Sequence, residues 1–173
     1  MLTETPVPGF KIRFAREEDV PLILQFIRGL AEYERLLDKV VATEELLTQT
    51  LFGERRVAEV ILGFEQEEPA AFALFFHNYS TFLGRPGIYL EDLFVKPEYR
   101  RKGYGKIMLA RLAAIAVERN CGRLEWSVLD WNTPAIDFYK SLGAIDLHDW
   151  TMFRLTGERL GRLASDSIGS FAG

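Results

Sequence analysis

Glu91 and Asp92 stand side by side in the otherwise apolar run IYLEDLFV, and a short connection leads from them to RRKGYG, Arg100 to Gly105. Adjacent carboxylates can hold a cation and pass a proton, directly or through water. Two glycines with three consecutive cations at a helix start can hold an anion. The unpaired backbone N–H groups point outward there, and the helix dipole adds about 0.3 to 1 kcal/mol. The pattern is neither GxxxxGK[ST] nor a full GxGxxG, because Met108 occupies the third glycine position. A tight strand-to-helix turn with solvated charges is the alternative reading of the same residues.

The acid pair constrains its strand. A central strand is covered on both faces, and a buried, unpaired carboxylate finds partners or takes up a proton. Regular alternation puts Glu91 on the face of Tyr89 and Leu93, and Asp92 on that of Leu90 and Phe94. An edge strand, or a bulge that turns the acids toward a cleft, relieves the cost. The functional reading is a strand splayed from its neighbour, with the acids lining the opening and the anion cradle at its C-terminal end. An acidic opening points to a cationic substrate.

The elements that must position these residues follow from periodicity and punctuation. After a polar leader, Phe10 to Phe14 alternates as a strand, and Asp19 with Pro21 opens a helix carrying Leu22, Ile23, Phe26, Ile27 and Leu30. A second helix starts near Thr43. Val57 to Phe64 and Ala70 to Tyr79 flank EQEEP as a hairpin, Leu83 to Gly87 reads as a turn, and Ile88 to Val95 as a strand. A helix follows the glycine turn and stops at Gly122, and Arg123 to Leu129 is the next strand. Thr133 and Pro134 open a further helix that ends at Gly143. Ile145 to Leu147 and Trp150 to Leu155 are read as two closing strands, GERLGRLA as a terminal helix, and the last residues, from about 164 to 173, as a tail. This order gives one α/β (α+β) domain over residues 1–173, a mixed, mostly antiparallel sheet flanked by helices, with one right-handed crossover.

Composition narrows the function. The 173 residues are 48% hydrophobic, enough for one packed core, and the net charge of -4 offers no overall field for nucleic acid or anionic lipid. Cys121 is the single cysteine, and His77 and His148 alone make a poor zinc site, so no metal is expected. No membrane partner is expected, and the chain is read as cytoplasmic, since neither a leader pattern nor a long apolar run is seen.

LEDLFVKPEYRRKGYGKIML followed by VLDWNTPAIDFYKSLGA resembles the acetyl-CoA site of the GNAT N-acetyltransferases. Within that superfamily, FIRGLAEYERL, YLEDLFV and VLDWNTPAIDFYKSLGA resemble the spermidine/spermine and thialysine N-acetyltransferase group. The resemblance implies acetyl-CoA as co-substrate. It implies that the backbone of Leu93, Phe94 and Val95 pairs with the pantetheine arm, and that Arg100, Arg101, Lys102, Gly103, Tyr104, Gly105 and Lys106 wrap the pyrophosphate. Asn132 would contact the cofactor and Tyr139 would face its sulfur. A homodimer is implied as well. Read from the residues alone, Asn132 can equally be a helix cap and Tyr139 a core residue.

Acetyl transfer needs a neutral amine, and an alkylamine of pKa about 10.4 costs about 4.6 kcal/mol to deprotonate at pH 7. The expected division of labour has Glu91 passing the proton through water, Asp92 orienting the cation, and Tyr139 protonating the leaving sulfur. His148 and Asp149 replace the acids that polyamine enzymes of this group carry before the closing tryptophan, which favours a small diamine or lysine-like amine over a long polyamine. Two other readings stay open: a protein N-terminal or lysine acetyltransferase, and a non-catalytic acyl-CoA sensor.

Overall fold

The computed structural model describes residues 2–166 and divides into two compact units, residues 1–127 and 128–173. In the first unit a six-stranded sheet runs in the order of the chain: β1 (Thr3–Glu4), β2 (Phe10–Phe14), β3 (Glu59–Glu65), β4 (Glu68–Ser80), β5 (Arg85–Val95) and β6 (Leu124–Trp126). All neighbours are antiparallel except β5 and β6, which are parallel. The connection between those two carries α3 (Tyr104–Glu118). α1 (Val20–Tyr33) and the short α2 (Glu44–Leu47), continued by a wide turn over Thr48–Phe52, lie between β2 and β3 in sequence.

The mixed, mostly antiparallel sheet with flanking helices agrees with the expected fold class. Alternation on β3 explains its two layers. Val60, Leu62 and Phe64 join Ile23, Leu24, Phe26, Leu47, Leu51, Phe72 and Phe94 in one buried cluster beneath α1 and α2. The opposite face carries Gly63, where an added Cβ would strike the Phe10 ring and lie 3.2 Å from Met108 Sδ, so α3 packs there at close range. Met108, Leu112 and Ile115 are fully buried on that helix. The β3–β4 hairpin turns on Gln66 and Glu67, both at positive φ (49° and 74°), as a two-residue primed turn requires.

Several boundaries move. The leader contains β1, paired with β2 through Thr3 and Ile12. Arg85 to Gly87, read as turn, already pair with β4, so the turn is confined to the residues before Arg85. The left-handed cap of α3 is Asn120 at φ 55°, with Cys121 N donating to Ala116 O, rather than Gly122.

The second unit holds α4 (Thr133–Ser141) and α5 (Gly157–Asp166). Gly143, at φ 86°, closes α4, with Ala144 N reaching back to Tyr139 O. The two closing strands are not formed: residues 145–155 have no strand partner among the described residues, and Ile145, Trp150 and Phe153 are 82%, 75% and 90% exposed. Apolar alternation makes a strand only where a neighbour accepts its backbone bonds. The expected tail is helical as far as Asp166, where Ser165 Oγ donates to Gly161 O, and its remainder lies outside the described residues.

α1 is tied to the sheet by charge. Arg13 on β2 donates to both Asp19 oxygens, at 2.6 and 2.8 Å, and Arg16 N donates to the same carboxylate. Arg13 also lies over the Phe64 ring. The Arg13 guanidinium holds the Asp19 carboxyl below the ordinary aspartate range. A lowered folded-state value means the stabilisation is present above the unfolded value and disappears as pH falls through the folded one. Asp19→Asn is therefore expected to cost about 2 kcal/mol at pH 7, read from urea midpoints, because Arg13 is left half-desolvated. The gap to wild type should close in acid below the normal aspartate range.

Candidate active site

β5 changes character halfway along. Ile88, Tyr89 and Leu90 pair on one side with β6 and on the other with β4. Pairing with β6 ends at Leu90 and Trp126, and from Glu91 to Val95 no strand of the described residues adjoins that side. At the same point the β4 register slips: Leu74 faces Asp92 and Phe75 faces Leu90, which leaves Glu91 as the extra residue of a β-bulge. The expected alternation is therefore corrected. Asp92 shares a face with Phe94, over which α1 packs, while Leu90 lies with Phe75 on the face of α3.

Glu91 is exposed at the bulge, and Asp92 is half-buried. Burial pushes the Asp92 carboxyl up to about 6, with the neighbouring Glu91 and Glu34 charges adding to the shift. Glu34 is the residue that ends α1, half-buried, and its own carboxyl is raised by burial. The sequence reading missed it. Its only signal was an acid in the last turn of a helix, where the dipole disfavours negative charge.

The C-terminal end of β5 leads, through Lys96 to Tyr99, into the cationic glycine turn. Arg100 Nε donates to Val95 O at 3.1 Å, and its guanidinium lies over the Tyr33 ring at 4.6 Å and near Phe94 at 5.6 Å. Arg100 thus pins the turn to the end of α1 and to β5. Arg101 (φ 63°) and Gly103 (φ 85°) are both left-handed and flank Lys102. Such reversals form backbone concavities that bind anions. Holding an arginine in that region costs about 1 kcal/mol, a strain of the kind stored at functional turns.

The turn has room for an anionic group. An added Cβ at Gly103 would meet nothing within 4 Å, and one at Gly105 only Val95 Cγ2, at 3.9 Å. Gly103 is accounted for by its positive φ. Gly105 is helical and unencumbered, so the protein's own packing does not demand a glycine, which costs about 1 kcal/mol against alanine in a helix. The absent Cβ leaves the first amides of α3 open to close approach. Tyr104 begins α3 fully buried and stacked on Phe10 at 3.9 Å, and Lys106 is exposed.

In the second unit, Asn132 occupies the position before α4, but its side chain makes no capping bond. Its carbonyl accepts from Ala135 N and Ile136 N, and the residue is buried. Tyr139 is half-buried beside Phe138, the rings 5.4 Å apart. His148 pairs with Asp146 at 3.0 Å. Glu91, Asp92, Leu93 to Val95 and Arg100 to Lys106 are thus gathered along β5 and the turn that follows it, whereas Asn132 and Tyr139 are placed within the second unit.

Comparison with known proteins matches this chain to the Acetyltransferase (GNAT) family over residues 28–144. The thialysine N-epsilon-acetyltransferase of Bos taurus is 44% identical over 88% of this chain and 96% of its own. The L-ornithine N5-acetyltransferase NATA1 of Arabidopsis thaliana is 35% identical over 87% of this chain and 86% of its own. Among solved structures, an integron cassette protein from the mobile metagenome of V. cholerae superposes with a TM-score of 0.76, at 30% identity, over 90% of this chain and 98% of its own.

The raised Asp92 value has a stability consequence of opposite sign to that of Asp19. A carboxyl raised on folding favours the fold below the unfolded value and penalises it as pH rises through the folded one. Asp92→Asn is expected to stabilise the protein by about 1 to 3 kcal/mol at pH 8 and by almost nothing at pH 4, read from urea midpoints at the two pH values.

Proposed function

The chain belongs to the GNAT acetyltransferase family and is an N-acetyltransferase of amines, and from that premise we propose that it moves an acetyl group from acetyl-CoA to a primary amine of a small cationic molecule. A thialysine- or ornithine-like amino acid or a short diamine is the substrate class. The observation that carries the reading is the bulge at Glu91. There β5 loses its β6 neighbour, gathers three carboxylates and runs on into a left-handed anion turn. The relatives acting on thialysine and ornithine support the substrate class.

Bound acetyl-CoA would supply the activated acetyl thioester. The open edge of Leu93, Phe94 and Val95 suits an arm that pairs like an added strand. Arg100, Arg101, Lys102, Gly103, Tyr104, Gly105 and Lys106 form the pyrophosphate turn in this reading, and Asn132 adds a cofactor contact. Glu34, Glu91 and Asp92 concentrate negative charge, which attracts an ammonium ion and holds it by the acids. Deprotonating that ion is the problem the same acids must solve. Glu91, exposed at the bulge, meets the amine and its water. Asp92, with a carboxyl near 6, is closer to the amine in proton affinity than an ordinary aspartate and can hold the proton afterwards. Glu91 and Asp92 thus share the roles of base and cation holder. Tyr139 Oη holds the proton that the departing sulfur needs. Amine and thioester react in one ternary complex, where positioning supplies much of the gain and no acyl-enzyme is required.

The chain is also proposed to work as a homodimer, with the exposed apolar residues of 145–155 covered by the second copy. Light scattering on the eluting protein should give twice the mass of one chain. A monomer that remains fully active would remove the dimer from the account.

Kinetics with acetyl-CoA and a panel of thialysine, lysine, ornithine, diamines, spermidine and short peptides tests the reading. One small amine should dominate kcat/KM. A peptide that outperforms them would turn the assignment to protein acetylation, and no turnover at all would leave a sensor. With the best amine, Glu91→Gln should lower kcat by about 10²- to 10⁴-fold. Asp92→Asn should raise KM and remove the acidic limb of the pH profile near 6. Tyr139→Phe should lower kcat with coenzyme A affinity unchanged; an unaltered rate would return Tyr139 to packing.

A further inference from the structure

Glu65 lies in none of the sequence motifs that point to chemistry. It ends β3, paired opposite Phe10 on β2 and Glu68 on β4, with the primed turn following at once. Its backbone is therefore held on both sides. The carboxylate reaches the anion turn: Lys102 Nζ donates to its two oxygens at 2.9 and 2.8 Å, and Tyr104 Oη donates at 2.5 Å. Both donors belong to the segment that prepares α3 for an anion.

The two donors differ in freedom. Tyr104 is buried, stacked on Phe10, and its phenol is pushed up to about 12 by burial and by Glu65, so it remains a donor at any working pH. Lys102 is 45% exposed at the end of a flexible stem and lies 5.2 Å from the Tyr99 ring. Such a partly exposed ion pair is weakly held, whereas a diphosphate carries more charge than a carboxylate. If Lys102 leaves, Glu65 keeps the Tyr104 bond and is not stranded.

We propose that Glu65 is a positioning residue that acts as an internal stand-in for the pyrophosphate: it keeps Lys102 over the anion turn in the free protein, and Lys102 passes to the phosphates when coenzyme A binds, while Tyr104 stays. The proposal rests on the reading of Arg100 to Lys106 as the pyrophosphate turn. Its functional consequence is a tuned grip. Part of the Lys102–phosphate attraction is offset by the lost Glu65 contact, so the coenzyme A product leaves faster than from a turn without that competitor.

Calorimetric titration of the full chain with coenzyme A tests this without turnover, using wild type, Glu65→Gln, Lys102→Met and the double variant. Lys102→Met should weaken binding by about fivefold or more, and Glu65→Gln should tighten it by about three- to tenfold. Removing a nearby negative charge helps any anion, so the decisive quantity is the coupling. The tightening by Glu65→Gln in wild type should exceed that in the Lys102→Met background by about threefold or more. Equal tightening in both backgrounds, or an affinity unmoved by Lys102→Met, overturns the exchange while leaving the pyrophosphate turn intact. Absence of saturable coenzyme A binding by wild type overturns both. Glu65→Gln keeps a side-chain oxygen that can accept from Tyr104 Oη, and thermal melts of the variants confirm folding before titration.

Discussion

A carboxylate cannot be enclosed between two covered faces of a sheet without a partner, and β5 carries two in succession. The fold meets that constraint by altering the strand. From Ile88 to Leu90 the strand is interior and apolar, with β4 and β6 on either side. One inserted residue then shifts the register, brings Asp92 onto the face of α1 and leaves Glu91 exposed. The loss of the β6 neighbour coincides with that shift. What makes the acids tolerable also exposes the backbone edge beside them, and so the relief of the acids and the open edge have one origin.

Charge is sorted along this strand. Asp92 is raised by burial and by the charges of Glu91 and Glu34, and Glu34 is raised by its own burial, so these two carboxyls hold a proton more readily than free carboxylates do. Beyond Val95 the chain becomes cationic, and its backbone takes left-handed turns at Arg101 and Gly103. The acid pair and the cationic turn thereby fall on opposite sides of Val95. Arg100 links the two ends mechanically, through Val95 O and the Tyr33 ring.

The scaffold behind the site is braced by two ion pairs between elements, one local and one long-range. Arg13 and Asp19 fasten α1 to β2, and Arg119 at the end of α3 makes a two-pronged pair with Glu59 on β3. Both carboxyls sit below their ordinary ranges because a guanidinium bonds them. The contrast with Asp92 is physical: all three carboxyls lose water to some degree, but the two braces are bonded by a guanidinium, while the charges that shift Asp92 are those of the acids Glu91 and Glu34. An acid left in that condition is ready to take up charge or a proton from outside.

The sequence by itself determined the order of the elements from Phe10 to Ser141, because helical and strand periods and glycine, proline and asparagine punctuation act locally. It also determined the cationic glycine turn and the acid pair, since Arg100 to Gly105 and Glu91 with Asp92 are contiguous. Tertiary structure alone decided the rest. Whether the acids relaxed by an edge or by a bulge depended on the register of β4 against β5, a relation between residues distant in the chain. Glu34 and Glu65 could not be found from spacing, because what gives them meaning, Asp92 and Lys102, reaches them only when α1 and β3 pack beside β5 and its turn. The alternating residues after Ile145 failed as strands for the complementary reason: the pattern is local, but the hydrogen bonds that make a strand belong to a neighbour.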